Sequence, residues 1–144
     1  MISLEEYSSY DATGLADLVA RKQVKPEELV ATALEAISKT NPKLNAVLQT
    51  LPERARGEIS AGLPQGPFTG IPFVIKELVL HAKGVRSDSG SRLAQGIVAD
   101  ADTELMARFR RAGLVLVGTT QTPELGYNPT TEPWLSVPFI TPGI

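Results

Sequence analysis

The 144-residue sequence has no cysteine. This excludes disulfides, thiolate zinc sites, iron–sulfur clusters and a cysteine nucleophile together. There is one histidine, His81. A multi-histidine metal site within the chain is therefore excluded, and a local Ser-His-Asp triad is hard to build. No charge of one sign predominates: 14 Lys and Arg stand against 16 Asp and Glu, for a formal net charge of −2. Bulk electrostatics then gives no grip on nucleic acid. Long apolar runs are also missing. The longest is broken at Lys76, so no segment is expected to enter a membrane. The opening M-I-S-L-E-E-Y is acidic and unlike a signal peptide, and the expected compartment is the cytoplasm. What is present is globular in kind, with 42% hydrophobic and 21% charged residues.

The first half reads as a helical arm over about residues 10–61. Asp11 is placed to cap a helix whose apolar positions include Leu15, Leu18 and Val19. Pro26 suits the first turn of a second helix, with Glu27 and Glu28 at the positive end of its dipole. Val30, Ala33, Leu34 and Ile37 form its apolar stripe, and Asn41-Pro42 is expected to stop it. A short strand is expected over 46–51 and a charged helix over 52–61. Residues 62–70 hold two prolines and three glycines, the mark of a loop or a seam.

The second half, about residues 66–134, reads as α/β. Ile71–Ile75 is an apolar run that ends abruptly at Lys76. Asp100 or Asp102 is placed to cap a helix burying Leu105, Met106, Phe109 and Ala112, with Gly113 as its C-terminal cap. Leu114–Val117 is then a continuously apolar strand. Strand, helix and strand with short joints predict a parallel crossover, hence an α/β fold with an incomplete mixed or parallel sheet. Three visible strands leave edges and faces open, which allows association through an exposed sheet face. Residues 135–144 carry no periodic pattern and read as an irregular tail.

Lys76 is the leading candidate for chemistry. It directly follows a strand, and in open parallel sheets ligands bind beyond the carboxyl ends of the strands. A lysine there can be desolvated and act as a base; the plainer alternative is a solvated lysine or one paired with Glu77. The loop S-D-S-G-S, with Ser87, Ser89 and Ser91, offers hydroxyls or backbone N–H groups, though turns use the same residues. Gly118–Tyr127 is expected at the same rim as Lys76. Within it Glu124 is a candidate general acid or base, or a helix-capping carboxylate. His81 is read as structural or exposed. No motif calls for a cofactor or a metal.

Taken together, these motifs resemble the amidase signature family. D-A-T-G-L-A-D-L-V and K-P-E-E-L-V are similar to its helical arm, and N-P-K-L-N-A-V-L to its first strand. G-P-F-T-G-I-P-F-V-I-K-E-L resembles its catalytic-lysine strand. S-G-S-R-L, D-A-D-T-E-L-M-A-R-F-R-R-A-G-L-V-L-V-G-T-T and Q-T-P-E-L-G-Y follow in the family's order. The resemblance covers roughly residues 10–134. It implies hydrolysis of a carbon–nitrogen amide bond by a nucleophilic serine, a second serine in a cis peptide, and a lysine matched by Lys76. It implies a small amide substrate for the parent protein and no cofactor. The family's two serine-bearing segments have no counterpart here. Glu77 stands where Asp is usual, Lys25 where a small capping hydroxyl is favoured, and Gln121 where Asn is usual. The expectation is the N-terminal portion of an amidase over 1–134, truncated near Trp134 and inactive alone. The alternatives are a non-catalytic or split-subunit module that associates with a second chain, or part of the glutaminase-like subunit of a tRNA-dependent amidotransferase.

Overall fold

A computed structural model of the chain describes residues 2–131. The irregular tail expected over 135–144 lies outside the described residues. The elements run α1 (Leu4–Ser9), α2 (Ala12–Ala20), α3 (Pro26–Leu44), β1 (Val47–Thr50), α4 (Pro52–Ser60), β2 (Pro72–Lys76), α5 (Glu104–Arg111) and β3 (Val115–Thr120). Short 3-10 turns lie at Arg92–Ala94 and Glu124–Gly126.

Local chemistry accounts for most of the boundaries. The Asp11 carboxylate accepts the Gly14 N–H at 2.7 Å and opens α2. Pro26 opens α3, and Glu28 reaches back to accept the Lys25 N–H at 2.9 Å. The additional helix α1 is capped by Ser3, whose Oγ accepts the Glu6 N–H at 3.1 Å. None of its own residues is buried, so it leaves little apolar trace in the sequence.

Three expectations fail. Asn41-Pro42 does not stop α3, which continues to Leu44 and ends at Asn45 with φ +51°. Pro42 falls in the last turn, where a missing N–H and a ring clash disturb least. Asp100 and Asp102 do not cap α5. Thr103 does, its Oγ1 accepting the Met106 N–H at 3.4 Å. Asp102 instead accepts Arg110 Nε at 2.6 Å and the Lys83 N–H at 2.6 Å. Burial and these donors pull its acidity in opposite directions. The donors prevail, holding its carboxyl below the ordinary range. Leu105, expected inside, is 50% exposed, while Met106 is fully buried.

The sheet order is β1-β3-β2. β1 runs antiparallel to β3 and β2 parallel to it, giving the mixed sheet and β-α-β crossover that the sequence predicts. The central strand is covered on both faces. Val115 and Val117 pack on Val30 of α3 and Ala55 of α4. Leu116 packs on the other side with Ile75, Met106, Ala82 and Val85. A third cluster, Ile2, Leu15, Val24, Leu29 and Ile71, fastens the helical arm to the start of β2. Gly113, at φ +88°, turns the chain from α5 into β3. A Cβ built there would lie 2.5 Å from the Thr69 Cα, so a side chain has neither the conformation nor the room.

Candidate active site

Parallel pairing of β2 with β3 sets Lys76 beside Thr120 at the carboxyl ends of both strands. Lys76 is exposed. With Ala46, Thr120, Gln121 and Thr131 it lines an open cavity of about 340 Å³. The rim predicted for Lys76 and the start of the Gly118–Tyr127 segment is therefore present. Gln121 is buried; its backbone N–H donates to the Ala46 carbonyl at 2.9 Å, and its Nε2 donates to the Asn45 carbonyl. These bonds fix one wall of the cavity to the chain entering β1. Among the described residues the lining offers an amine, an amide and two threonine hydroxyls, and no serine.

The serine loop goes elsewhere. Ser91 is buried, and its Oγ donates to Glu124 Oε1 at 2.8 Å while accepting the Leu93 N–H at 3.2 Å. The Ser89 carbonyl accepts the Leu125 N–H at 2.9 Å. Gly90, at φ +65°, brings its backbone so close to the 122–123 peptides that a Cβ would lie 2.5 Å from the Thr122 oxygen. Loops 87–91 and 121–127 are thus clasped together. None of the three serines lines the Lys76 cavity. Glu124 is also outside it and acts as the acceptor of the clasp.

Glu77 is the residue that sequence reasoning undervalued. Successive strand residues point to opposite faces, so the exposure of Lys76 forces Glu77 inward. It is 3% exposed, and its Oε1 accepts the Asp88 N–H at 2.9 Å. Burial pushes its carboxyl above the ordinary range. The Asp88 N–H lowers it, the nearby Asp88 carboxylate adds to the rise, and Arg86 opposes. Asp88 is itself buried, accepting the Gly96 N–H at 3.0 Å and pairing with Arg86 Nε at 3.1 Å. Glu77 therefore ties the end of β2 to the serine loop from beneath. Ser87 Oγ and Thr119 Oγ1 are buried against a small void that Glu77 also lines, without a hydrogen-bond partner. His81 lines that void, and its backbone carbonyl accepts the Thr103 N–H at 3.0 Å. The signal available for Glu77 was its place two residues after Ile75, on the same side of an extended chain.

Among the described residues, no group of three or more His, Asp or Glu side chains is placed to hold a metal ion. No described helix is long and apolar enough to cross a membrane.

A strand–helix–strand crossover with a lysine at its rim, preceded by a helical arm, matches the amidase family model over residues 28–141, and the chain belongs to that family. It is 38% identical over 125 residues to the 6-aminohexanoate-cyclic-dimer hydrolase of Paenarthrobacter ureafaciens, a match covering 85% of this chain and 25% of the relative. It is 33% identical over 124 residues to a glutamyl-tRNA(Gln) amidotransferase subunit of Methylobacillus flagellatus, covering 82% and 25%. A solved structure of 6-aminohexanoate cyclic dimer hydrolase superposes with a TM-score of 0.86 at 34% identity, over 96% of this chain and 28% of that one. A bacterial aryl acylamidase of the amidase signature family superposes with a TM-score of 0.75 at 27% identity, covering 85% and 27%. The chain thus spans about a quarter of the length of the relatives it matches.

Proposed function

We propose that residues 1–134 are the lysine-bearing portion of an amidase, followed by a tail over 135–144, and that Lys76 is its proton acceptor. The observation that carries this reading is the place of Lys76. It stands at the carboxyl end of a parallel strand, beside the equivalent end of the central strand, over an open cavity. A serine hydroxyl is a weak nucleophile until an adjacent base takes its proton. In the proposed reaction the Lys76 amine accepts that proton through a bridging serine. The activated hydroxyl oxygen bonds to the amide carbon, the carbon–nitrogen bond breaks, and the returned proton leaves with the amine. Water then releases the acyl group. The family's two serine-bearing segments have no counterpart among the motifs matched here, and the expectation on this reading is no amide turnover by these 144 residues alone. An amine acts as a base at neutral pH when its surroundings withhold water from the ammonium form. Lys76 is exposed here, so the reading requires cover from outside the described residues.

The substrate of the whole protein is proposed to be a small amide. The greater identity to a cyclic-dimer hydrolase, 38% against 33% to the amidotransferase chain, favours a general amidase over a glutaminase-like subunit. The test is a chimera in which this segment replaces the matched quarter of the cyclic-dimer hydrolase. Lys76→Ala and Lys76→Arg should each reduce kcat by about 10²-fold or more while leaving thermal unfolding unchanged. A chimera whose kcat ignores both substitutions would remove Lys76 from the chemistry. Turnover by the 144-residue chain that depends on Lys76 would overturn its inactivity.

A further inference from the structure

We infer that Glu77 is a positioning residue for Lys76, its carboxyl group holding the Asp88 N–H and so fixing the end of β2 against the wall of the Lys76 cavity. The inference rests on the role proposed for Lys76. The Lys76 backbone has little hold of its own. Lys76 is the last residue of β2, and its carbonyl accepts the Leu78 N–H at 2.8 Å. The Leu78 carbonyl accepts the Leu80 N–H at 2.6 Å, so two tight turns follow the strand in succession. Among the described residues Val79, at φ +54°, is the only β-branched residue in the left-handed region. A branched side chain opposes that conformation, which persists only where its surroundings over-determine it. Val79 is 78% exposed, so its own packing does not supply that hold.

The hold lies on either side of the turns. After them, Leu80, Ala82 and Val85 join the core cluster of Ile75. Before them stands Glu77, with two anchors. Its N–H donates to the Thr120 carbonyl at 3.0 Å, and its Oε1 accepts the Asp88 N–H at 2.9 Å. Those two bonds close a ring. Asp88 belongs to the serine loop, which Ser91 joins to Glu124 and in which Gly90 packs against the 122–123 peptides. That segment leads back through Gln121 to Thr120, and both line the Lys76 cavity. The amine and the wall beside it are thus carried on one closed circuit of contacts.

Proton transfer needs heavy atoms held within about 2.6–3.2 Å, and a misplacement near 1 Å costs about a hundredfold in rate. A lysine at the last position of a strand needs a fixed backbone to meet that tolerance. Filling the space beneath it does not need a carboxyl group. An apolar side chain of similar volume would avoid the desolvation of a polar one. What Glu77 adds is a directed acceptor, which ties the strand end to the loop.

The anchor is tested without turnover in the 144-residue chain. In Glu77→Met, which keeps the volume and drops the acceptor, the Asp88 amide should exchange about tenfold faster while the β3 amides are unchanged. Unchanged exchange at Asp88 would remove the anchor. The role towards Lys76 is tested in the cyclic-dimer hydrolase chimera. There Glu77→Met should lower kcat about tenfold or more and change KM less than about twofold. Glu77→Gln, which retains an acceptor oxygen, should keep kcat within about threefold of the parent chimera. After Lys76→Ala, Glu77→Met should lower the remaining rate less than about twofold, because nothing is left to position. Glu124→Ala cuts the ring at its exposed link and should repeat this pattern at about threefold, which serves where Glu77→Met does not fold. An equal loss with and without Lys76, an unchanged kcat in Glu77→Met, or a glutamine no better than methionine would overturn the positioning role alone. Undiminished kcat in Lys76→Ala would overturn the role of Lys76 and this inference with it.

Discussion

The two parallel strands are close to equal in sequence and unequal in structure. Val115–Val117 and Phe73–Ile75 are both uninterrupted apolar triplets. In β3 all three side chains are at most 2% exposed. In β2 only Ile75 is buried, while Val74 is 40% exposed. The difference is one of neighbours. β3 has a strand on each side and helices α3 and α4 across one face, whereas among the described residues β2 has a strand on one side only. An apolar triplet therefore does not by itself fix burial; the neighbours that tertiary structure supplies do.

This contrast can be broken or sharpened by experiment. Leu116→Ala should have the largest effect, destabilising by about 2–5 kcal/mol in urea unfolding, because Leu116 is fully enclosed by Ile75, Met106 and their neighbours. Val74→Ala on the paired strand should cost less than about 1 kcal/mol. Equal losses would erase the distinction between the strands. Next, Gly113→Ala should destabilise by about 1–3 kcal/mol, since φ +88° and the closeness of Thr69 both oppose a side chain. A neutral result would show that the α5–β3 turn relaxes freely.

Smaller and dependent on pH is Glu77→Gln. The Glu77 carboxyl is raised above its ordinary value of 4.5 by burial and by Asp88, with the Asp88 N–H and Arg86 acting against the rise. His81 and Arg86 also line the void. Below the ordinary value the acid is neutral whether the chain is folded or unfolded. As pH rises through the window above 4.5, the unfolded chain ionises first, and wild-type stability falls. The glutamine keeps an acceptor for the Asp88 N–H and has no proton to lose. The variant should therefore gain on the wild type as pH rises through that window, and parallel pH profiles would refute the assignment. Least of all, Lys39→Ala should change stability by less than about 0.5 kcal/mol, because its pair with Glu35 is more than half exposed at both ends.

The helix starts at Asp11 and Pro26, the strand before Lys76 and the strand after Gly113 were legible because each is signalled within a few residues. Pro42 misled because a proline breaks a helix interior but not its last turn, and only the strand that follows shows where the turn ends. Asp102 misled because a carboxylate before a helix has two uses. Arg54, Glu58 and Arg110, brought together from α4 and α5, claimed it for an ion-pair network instead of a cap. The serine loop was visible as a loop. Its closure by Glu124 and its attachment to Glu77 were not, since those partners are 33 and 11 residues distant.

By itself the sequence determined the family, the crossover and the position of Lys76 at a strand end, because motif order and hydrophobic period are local properties of the chain. Only the tertiary structure decided that Lys76 faces a cavity while Glu77 is buried beneath it, and that the Asn41 side chain holds both backbone groups of Val47 at the sheet edge. Those outcomes depend on which distant groups compete for the same backbone and the same space.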